Sequence, residues 1–397
     1  IINNIKPLWA QQPSKLNKED YNKFYTELYP LNFEAPLFNI HLNVDYPFNL
    51  TGILYFPKIQ NKIEVQKNKI QLYCNQVFVT DSVEGIVPEY LTLLHGVLDS
   101  PDIPLNVSRS YLQSDPNVKK ISAHISKKVA DKLEELFKND RTDFDQKWDD
   151  IKVFIQYGML ADEKFYERAI KFCLLKNTEG KFFTLDEYKD KIKDLQKDKD
   201  DKLIYLYSSN TEEQHSYIKA ANDRGYDVLL MDGVLESHFI NSLETKLEKS
   251  GFARVDSDTI DKLIKKGDEL PSKLTEEEKN KLKPVIENII DKNKFYVVFE
   301  NLSEKDYPLM ITQPEFLRRM KDMSALGANP FFYNNSDNYN LVINTNHPLF
   351  SKILTETDEK TQQELVKHAL DIALLSQNML KGEQLAQFLQ RSLDKLV

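Results

Sequence analysis

The chain has 397 residues, too many for one ordinary hydrophobic core and enough for two or three domains. Its 41% hydrophobic content, with 22 Phe and 19 Tyr, excludes a mainly disordered chain. Lys plus Arg number 53 against 62 Asp plus Glu, a net charge of −9, which sets aside a general nucleic-acid binder.

With only 11 Gly in the whole chain, few Gly-rich phosphate loops can exist. Two cysteines, Cys74 and Cys173, both in apolar surroundings, read as buried free thiols in a reducing, cytoplasmic setting. No apolar run approaches the roughly 18 residues of a membrane helix, and the N-terminal residues do not read as a signal peptide. The chain opens Ile1-Ile2 without an initiator Met, which suggests a fragment of something longer.

Phe38, Ile40, Leu42 and Val44 alternate with polar residues, the period of a half-buried strand. The runs 50–56 and 70–79 supply further strand. Residues 89–98 return to helical spacing through Tyr90, Leu93, Leu94 and Val97. A long amphipathic helix is predicted from Val118 to Phe137, capped by Asp115 with Pro116 in its first turn. The stretch 186–202 is charged but nearly balanced, the pattern of a solvated helix face.

A small β-α-β unit follows: a strand at 203–207, a polar helix from about Thr211 and a strand at 228–231. Its turn, Ser208-Ser209-Asn210-Thr211, has no Gly and so does not read as a nucleotide site. Residues 256–282 are charged and poor in aromatics, as at a domain boundary, and a capping box at Thr275 and Glu278 opens a new helix. Strands are predicted at 295–299, 309–312 and 341–344. An amphipathic helix over 314–325 and an Asn-rich loop precede the last of them.

The final two helices carry apolar stripes: Leu365, Ala369, Ile372, Leu375 and Met379, then Leu385, Phe388, Leu389, Leu393 and Leu396. Either they pack back on the strands of their own domain or they pair with a second copy; dimerisation is the favoured reading.

Zinc-protease, paired-cysteine, Walker and serine-hydrolase signatures are missing, and the seven His show no ligand spacing. Two segments remain. In Asn106-Val107-Ser108-Arg109, Ser108 can cap a turn that sets Arg109 and Gln113 on one face, and an Arg fork suits a terminal phosphate. In the helix 314–325, Phe316, Leu317, Met320 and Met323 form an apolar side opposite Arg318, Arg319 and Lys321. That side suits either an adaptable binding surface or an ordinary core contact.

The series Lys6-Pro7-Leu8-Trp9, Tyr73-Cys74-Asn75-Gln76-Val77-Phe78-Val79, Pro88-Glu89-Tyr90-Leu91, Gly96-Val97-Leu98-Asp99-Ser100 and Leu105-Asn106-Val107-Ser108-Arg109 resembles the ninety-kilodalton heat-shock chaperones, closest to their bacterial branch. Asn344, His347, Pro348 and Leu349 still match near the other end. The resemblance implies a mixed α/β and α+β multidomain chain. A middle domain over 1–255 would comprise an α-β-α sandwich lobe (1–115), a helical connector (116–180) and a second small α/β lobe (181–255). A mixed α+β C-terminal domain over 256–397 would end in a dimerising helical bundle.

The family's ATP-binding domain is not represented, so the resemblance implies no cofactor in this chain and ATP with Mg in the full-length protein. It also implies that the chain alone does not turn ATP over. Arg109 would reach the γ-phosphate bound in that other domain, with Asn106 and Gln113 positioning its loop. Phe33 falls where relatives display a client-contacting Trp, and Phe316, Leu317, Met320 and Met323 match the client-binding helix. Leu365, Ala369, Ile372, Leu375, Phe388, Leu389 and Leu393 match the dimer interface. The implied partners are a second copy, non-native client proteins and the chain's own ATP-binding domain, with neither nucleic acid nor membrane. The alternative from a different class is a self-contained α/β phosphotransferase or hydrolase that uses Arg109.

Overall fold

A computed structural model describes residues 6–58, 69–81, 83, 85–103, 115–267, 270–319 and 338–394. The chain is mixed α/β and forms two compact units, residues 1–174 and 175–397.

The first unit is built on a five-stranded sheet of β1 (Phe38–Val44), β2 (Leu50–Phe56), β3 (Lys69–Cys74), β4 (Val77–Thr80) and β5 (His95–Asp99), in the order β1-β2-β5-β3-β4. Only β3 and β5 pair in parallel. Alternate residues of β2 face opposite sides. Ile53 and Tyr55 join Val97, Trp9, Tyr21 and Tyr25 in one cluster, while Phe56 meets Phe154 from the other side.

Helix α1 (Lys18–Leu28) starts at a capping box of Asn17 and Asp20. Its tyrosines recur every fourth residue and dock on the sheet. The Tyr21 hydroxyl meets His41 Nδ1 at 2.9 Å, and the Tyr25 hydroxyl meets His95 Nδ1 at 2.8 Å. After β5 come α2 (Pro116–Asn139), α3 (Arg141–Ala161) and α4 (Glu163–Ala169). The Asp115 carboxylate accepts from the Asn117 and Val118 amides and Pro116 opens α2, as the sequence predicts.

Three local expectations are corrected. Residues 89–98 are not a helix: Glu89–Leu91 form one 3-10 turn after Pro88, and His95–Asp99 is a strand buried along its whole length. Tyr90, Leu94 and Val97 mimic helical spacing because each is fully buried from a different element. The run 70–79 is a hairpin, broken at Asn75 and Gln76, whose φ values of 50 and 66° turn the chain. Cys173 is buried, but Cys74, at the end of β3, is only half-buried.

The second unit begins with a small hairpin, β6 (Leu174–Lys176) and β7 (Phe182–Thr184), followed by α5 (Leu185–Ile192). The charged stretch 186–202 is helical only through that element. A parallel three-stranded sheet follows, β10 (Ser250–Arg254), β8 (Leu203–Ser208) and β9 (Leu229–Leu230) in that order. Its crossover helices are α6 (His215–Asn222), which starts later than its polar pattern suggests, and α7 (Glu236–Lys246). Ile204, Leu206, Tyr217, Ile218 and Val255 form its core, and Ile260 of the short α8 (Ile260–Leu263) adds to it.

Further on, α9 (Glu276–Glu287) starts at the predicted Thr275–Glu278 capping box. A second three-stranded sheet has the order β11-β13-β12, from β11 (Phe295–Glu300), β12 (Leu309–Thr312) and β13 (Tyr339–Asn344). Three helices close the chain: α10 (Pro348–Thr355), α11 (Glu359–Ser376) and α12 (Gly382–Asp394). The inner faces of α9, α10 and α11 pack with β11 to β13 around Leu282, Ile286, Leu341, Ile343, Phe350 and Val366.

Candidate functional site

Arg109, Asn106 and Gln113 lie outside the described residues, as do Met320 and Met323. The anchors on either side of 104–114 are described. The Ser100 hydroxyl donates to the Asn49 carbonyl at 2.6 Å, and the Asn49 amide donates to Asp102 Oδ2 at 2.6 Å. The Ser100 amide donates to the Tyr73 carbonyl at 3.1 Å. On the far side, Asp115 is committed to capping α2. The described residues that flank 104–114 are thus held by charge-assisted hydrogen bonds to Asp102 and Asp115.

Phe33 is 94% exposed, one residue beyond Asn32, whose side-chain amide donates to the Tyr25 hydroxyl at 2.8 Å. Burial pushes the Tyr25 hydroxyl up to about 12, against the opposing hydrogen bond from Asn32, so it stays protonated. The exposed ring thus sits on a base tied to the buried α1 face.

In the second unit, residues 315–319 are helical and follow directly from β12. Phe316 is 71% exposed and Leu317 half-buried. The two arginines opposite, read from sequence only as a polar face, enter a dense ionic cluster. Asp256 accepts from Arg254 Nε at 2.7 Å and Nη2 at 2.9 Å, from Gln214 Nε2 at 2.8 Å and from Arg318 Nη1 at 2.7 Å. Glu315 accepts from the Tyr207 hydroxyl at 2.6 Å, Arg319 Nε at 2.7 Å and the Arg254 amide at 3.2 Å. Arg319 reaches further, to Glu244 Oε2 at 2.6 Å, Asn241 Oδ1 at 2.9 Å and the Phe252 carbonyl at 3.0 Å.

Three carboxylates face three guanidiniums, so the cluster is neutral overall. Arg254 and Asp256 are almost fully buried. The Tyr207 hydroxyl is held far above its ordinary pKa, by burial first and by the Glu315 charge second. This cluster was not legible as a site, because its members are scattered from residue 207 to residue 319. Its local signs were the adjacent arginines Arg318-Arg319 and the closely spaced Arg254 and Asp256.

The β-α turn of the β8-α6-β9 unit has its own occupant. Gln214 Oε1 accepts from the Ser208 hydroxyl at 2.7 Å and from the Ser209 amide at 3.0 Å. Those donors, which a phosphate would need, are engaged by a side chain.

At the C-terminal end, the predicted stripe residues divide. Ala369 and Phe388 are buried, and Leu365 packs on the core of the second sheet. Ile372, Leu375, Leu389 and Leu393 are 40 to 58% exposed. Asp371 on α11 pairs with Arg391 on α12, and the His368 and Phe388 rings stack at 5.5 Å, so the two helices form a closed hairpin. Among the described residues, no cluster of His, Cys, Asp and Glu could hold a metal ion, and no helix is long and apolar enough to cross a membrane.

The Hsp90 protein family is matched over residues 1–394, and the chain belongs to that family. It is 55% identical to a Chaperone protein HtpG of Porphyromonas gingivalis over 378 residues, covering 94% of this chain and 55% of the relative. A Chaperone protein htpG of Bacteroides fragilis is 48% identical over 462 residues, covering 99% of this chain and 68% of the relative. An Endoplasmin homolog of Caenorhabditis elegans is 30% identical over 252 residues, covering 61% and 32%. The chain thus spans about half the length of the Porphyromonas relative.

Proposed function

We propose that the chain is the client-binding and dimerising portion of an ATP-dependent molecular chaperone, with a middle domain over 1–255 and a C-terminal domain over 256–397. The observation that carries this reading is an Hsp90-family chain that displays large apolar side chains, Phe33 and Phe316, on tethered supports. Non-native proteins expose the apolar surface that such rings would cover. A second copy would join through Ile372, Leu375, Leu389 and Leu393.

ATP with Mg would be held by a separate ATP-binding domain and would supply the energy of the working cycle. Arg109 would offer its fork of donors to the terminal phosphate, with Asn106 and Gln113 positioning the loop. The anchors at Asn49, Ser100, Asp102 and Asp115 support that role, since they fix both ends of the Arg109 segment. A self-contained phosphotransferase gains no support: in the β8-α6 turn the Ser208 hydroxyl and the Ser209 amide already donate to Gln214.

Two measurements test the proposal. The chain should slow the aggregation of a heat-denaturing citrate synthase, and Phe33→Ser with Phe316→Ser should reduce that effect; no protection by the unaltered chain would count against client binding. It should release no phosphate from ATP alone, while Arg109→Ala should slow turnover by the full-length protein about tenfold or more. Unchanged turnover removes Arg109 from the mechanism.

A further inference from the structure

The residues from β12 to Arg319 are gripped by the β8-α6-β9-α7-β10 lobe at successive points. The Tyr217 hydroxyl donates to the Ile311 carbonyl, and the Gln313 amide donates to the Asp256 carbonyl at 3.2 Å. Glu315, Arg318 and Arg319 then enter the ionic cluster. Arg318 and Arg319 leave one side of the helical turn, and Phe316 projects to solvent from another.

A neutral cluster with a buried centre, Arg254 and Asp256, and half-buried flanks adds little net stability, because desolvation offsets the attraction at the centre and solvent screens it at the edge. Removing one member is a different matter, since it strands opposite charges that were paired in a poorly solvated site. Such a cluster therefore fixes geometry more than it adds stability. Its five donors make Arg319 a strut: Nε holds Glu315 on its own turn, and the Nη atoms hold α7 and β10. Neither a Lys nor a simple apolar contact would define the same orientation.

We propose that Glu315 and Asp256 are positioning residues that lock the Phe316 segment to the lobe of residues 203–256, so that the lobe and the exposed Phe316 surface move as one body. The proposal rests on Phe316 and Leu317 being client surface. It adds that their aim is set by side chains that touch no client.

Hydrogen exchange and client binding, measured on the full chain, separate the two ideas. Glu315→Gln keeps the shape of the side chain and removes its charge. It should raise amide exchange over 315–319 about tenfold or more, while β8 and β12 keep their protection. Apparent affinity for denaturing citrate synthase should fall several-fold, with the amount held at saturation unchanged. A merely damaged fold would lower the amount held instead. Arg318→Gln, altered on the more exposed side of the cluster, should do the same if Glu315→Gln fails to fold.

Unchanged exchange over 315–319 in both variants overturns the proposal. So does faster exchange with unchanged affinity, provided Leu317→Ser lowers affinity in the same assay. If Leu317→Ser also has no effect, the client-surface reading falls, and the exchange result by itself decides whether the segment is locked.

Discussion

Trp9 donates its indole N–H to Asp99 Oδ2 at 3.1 Å, across 90 residues of sequence, and the same oxygen accepts the Gln76 amide at 2.9 Å. One buried carboxylate thus joins the segment before α1, the β3-β4 turn and the end of β5. Asp99→Ala would leave both donors without their acceptor, and a lost hydrogen bond to a charged group costs about 1.5–3 kcal/mol. The first unit should lose about 2–4 kcal/mol in urea unfolding followed by Trp fluorescence, since both Trp9 and Trp148 report on it. Trp9→Phe, which removes one donor and leaves the carboxylate, should cost less than Asp99→Ala. Equal losses would show that packing of the indole, not Asp99, holds these segments together.

Gly96, the second residue of β5, has a φ of 137°, and a Cβ there would lie 2.0 Å from the Ile53 carbonyl oxygen. The Ile53 carbonyl carbon and the Leu54 Cα follow at 3.0 Å, and all three atoms are backbone, so a side-chain rotation cannot relieve the clash. Gly96→Ala should destabilise the first unit by about 3 kcal/mol or more, well beyond the usual propensity difference. Gly180→Ala, with φ of 80° and open space around the added carbon, should cost about 1 kcal/mol. Comparable melting temperatures for the two variants would contradict the close approach at Gly96.

Burial lowers the His41 pKa below its ordinary 6.5, only partly opposed by the hydrogen bond to the Trp9 carbonyl. One tautomer serves both of its contacts. Nε2–H donates to the Trp9 carbonyl at 3.3 Å, and Nδ1 accepts from Tyr21 at 2.9 Å. Well above pH 6.5 the ring is neutral in both the folded and the unfolded chain, so it adds no pH dependence there. As pH falls below 6.5 the unfolded chain takes up a proton that the folded chain resists, and stability declines until the folded ring titrates too. His124, also lowered by burial, acts in the same direction. The first unit should therefore lose urea resistance between pH 7 and pH 5. His41→Gln, which keeps a donor for the Trp9 carbonyl, should flatten part of that slope. An unaltered slope would remove His41 as a source of it.

Some of this was readable from sequence, for physical reasons. Phe38 to Val44 lie on a sheet margin with one face covered, so polarity alternates with period two and the strand is visible. β5 is buried along its whole length, so no alternation marks it, and Tyr90, Leu94 and Val97 imitate a helix. The Thr275 and Asp115 caps are local chemistry and were legible. Arg254 and Asp256 are near neighbours, but Tyr207, Glu315, Arg318 and Arg319 lie 47 or more residues from them and look like ordinary surface residues, and only the fold brings them together. The terminal stripes were half legible: helical spacing marks apolar residues but does not distinguish Ala369, buried against its own chain, from Leu389, left exposed.

That distinction gives the test of dimerisation. The Asp371–Arg391 pair and the His368–Phe388 stack close α11 on α12 within one chain, so the hairpin does not need a second copy to form. What remains outside it is Ile372, Leu375, Leu389 and Leu393. Fully burying a leucine contributes about 1.5–3 kcal/mol, and two-fold symmetry counts each side chain twice. Leu389→Asp with Leu393→Asp should therefore raise the dimer dissociation constant by about a hundredfold or more, with helical content and melting of the monomer unchanged. Ala369→Asp should instead unfold the second sheet's helical cover, because its charge would enter the core. Sedimentation of the three chains at micromolar concentration separates these outcomes. A Leu389 and Leu393 variant that stays dimeric would place the contact between copies on another surface.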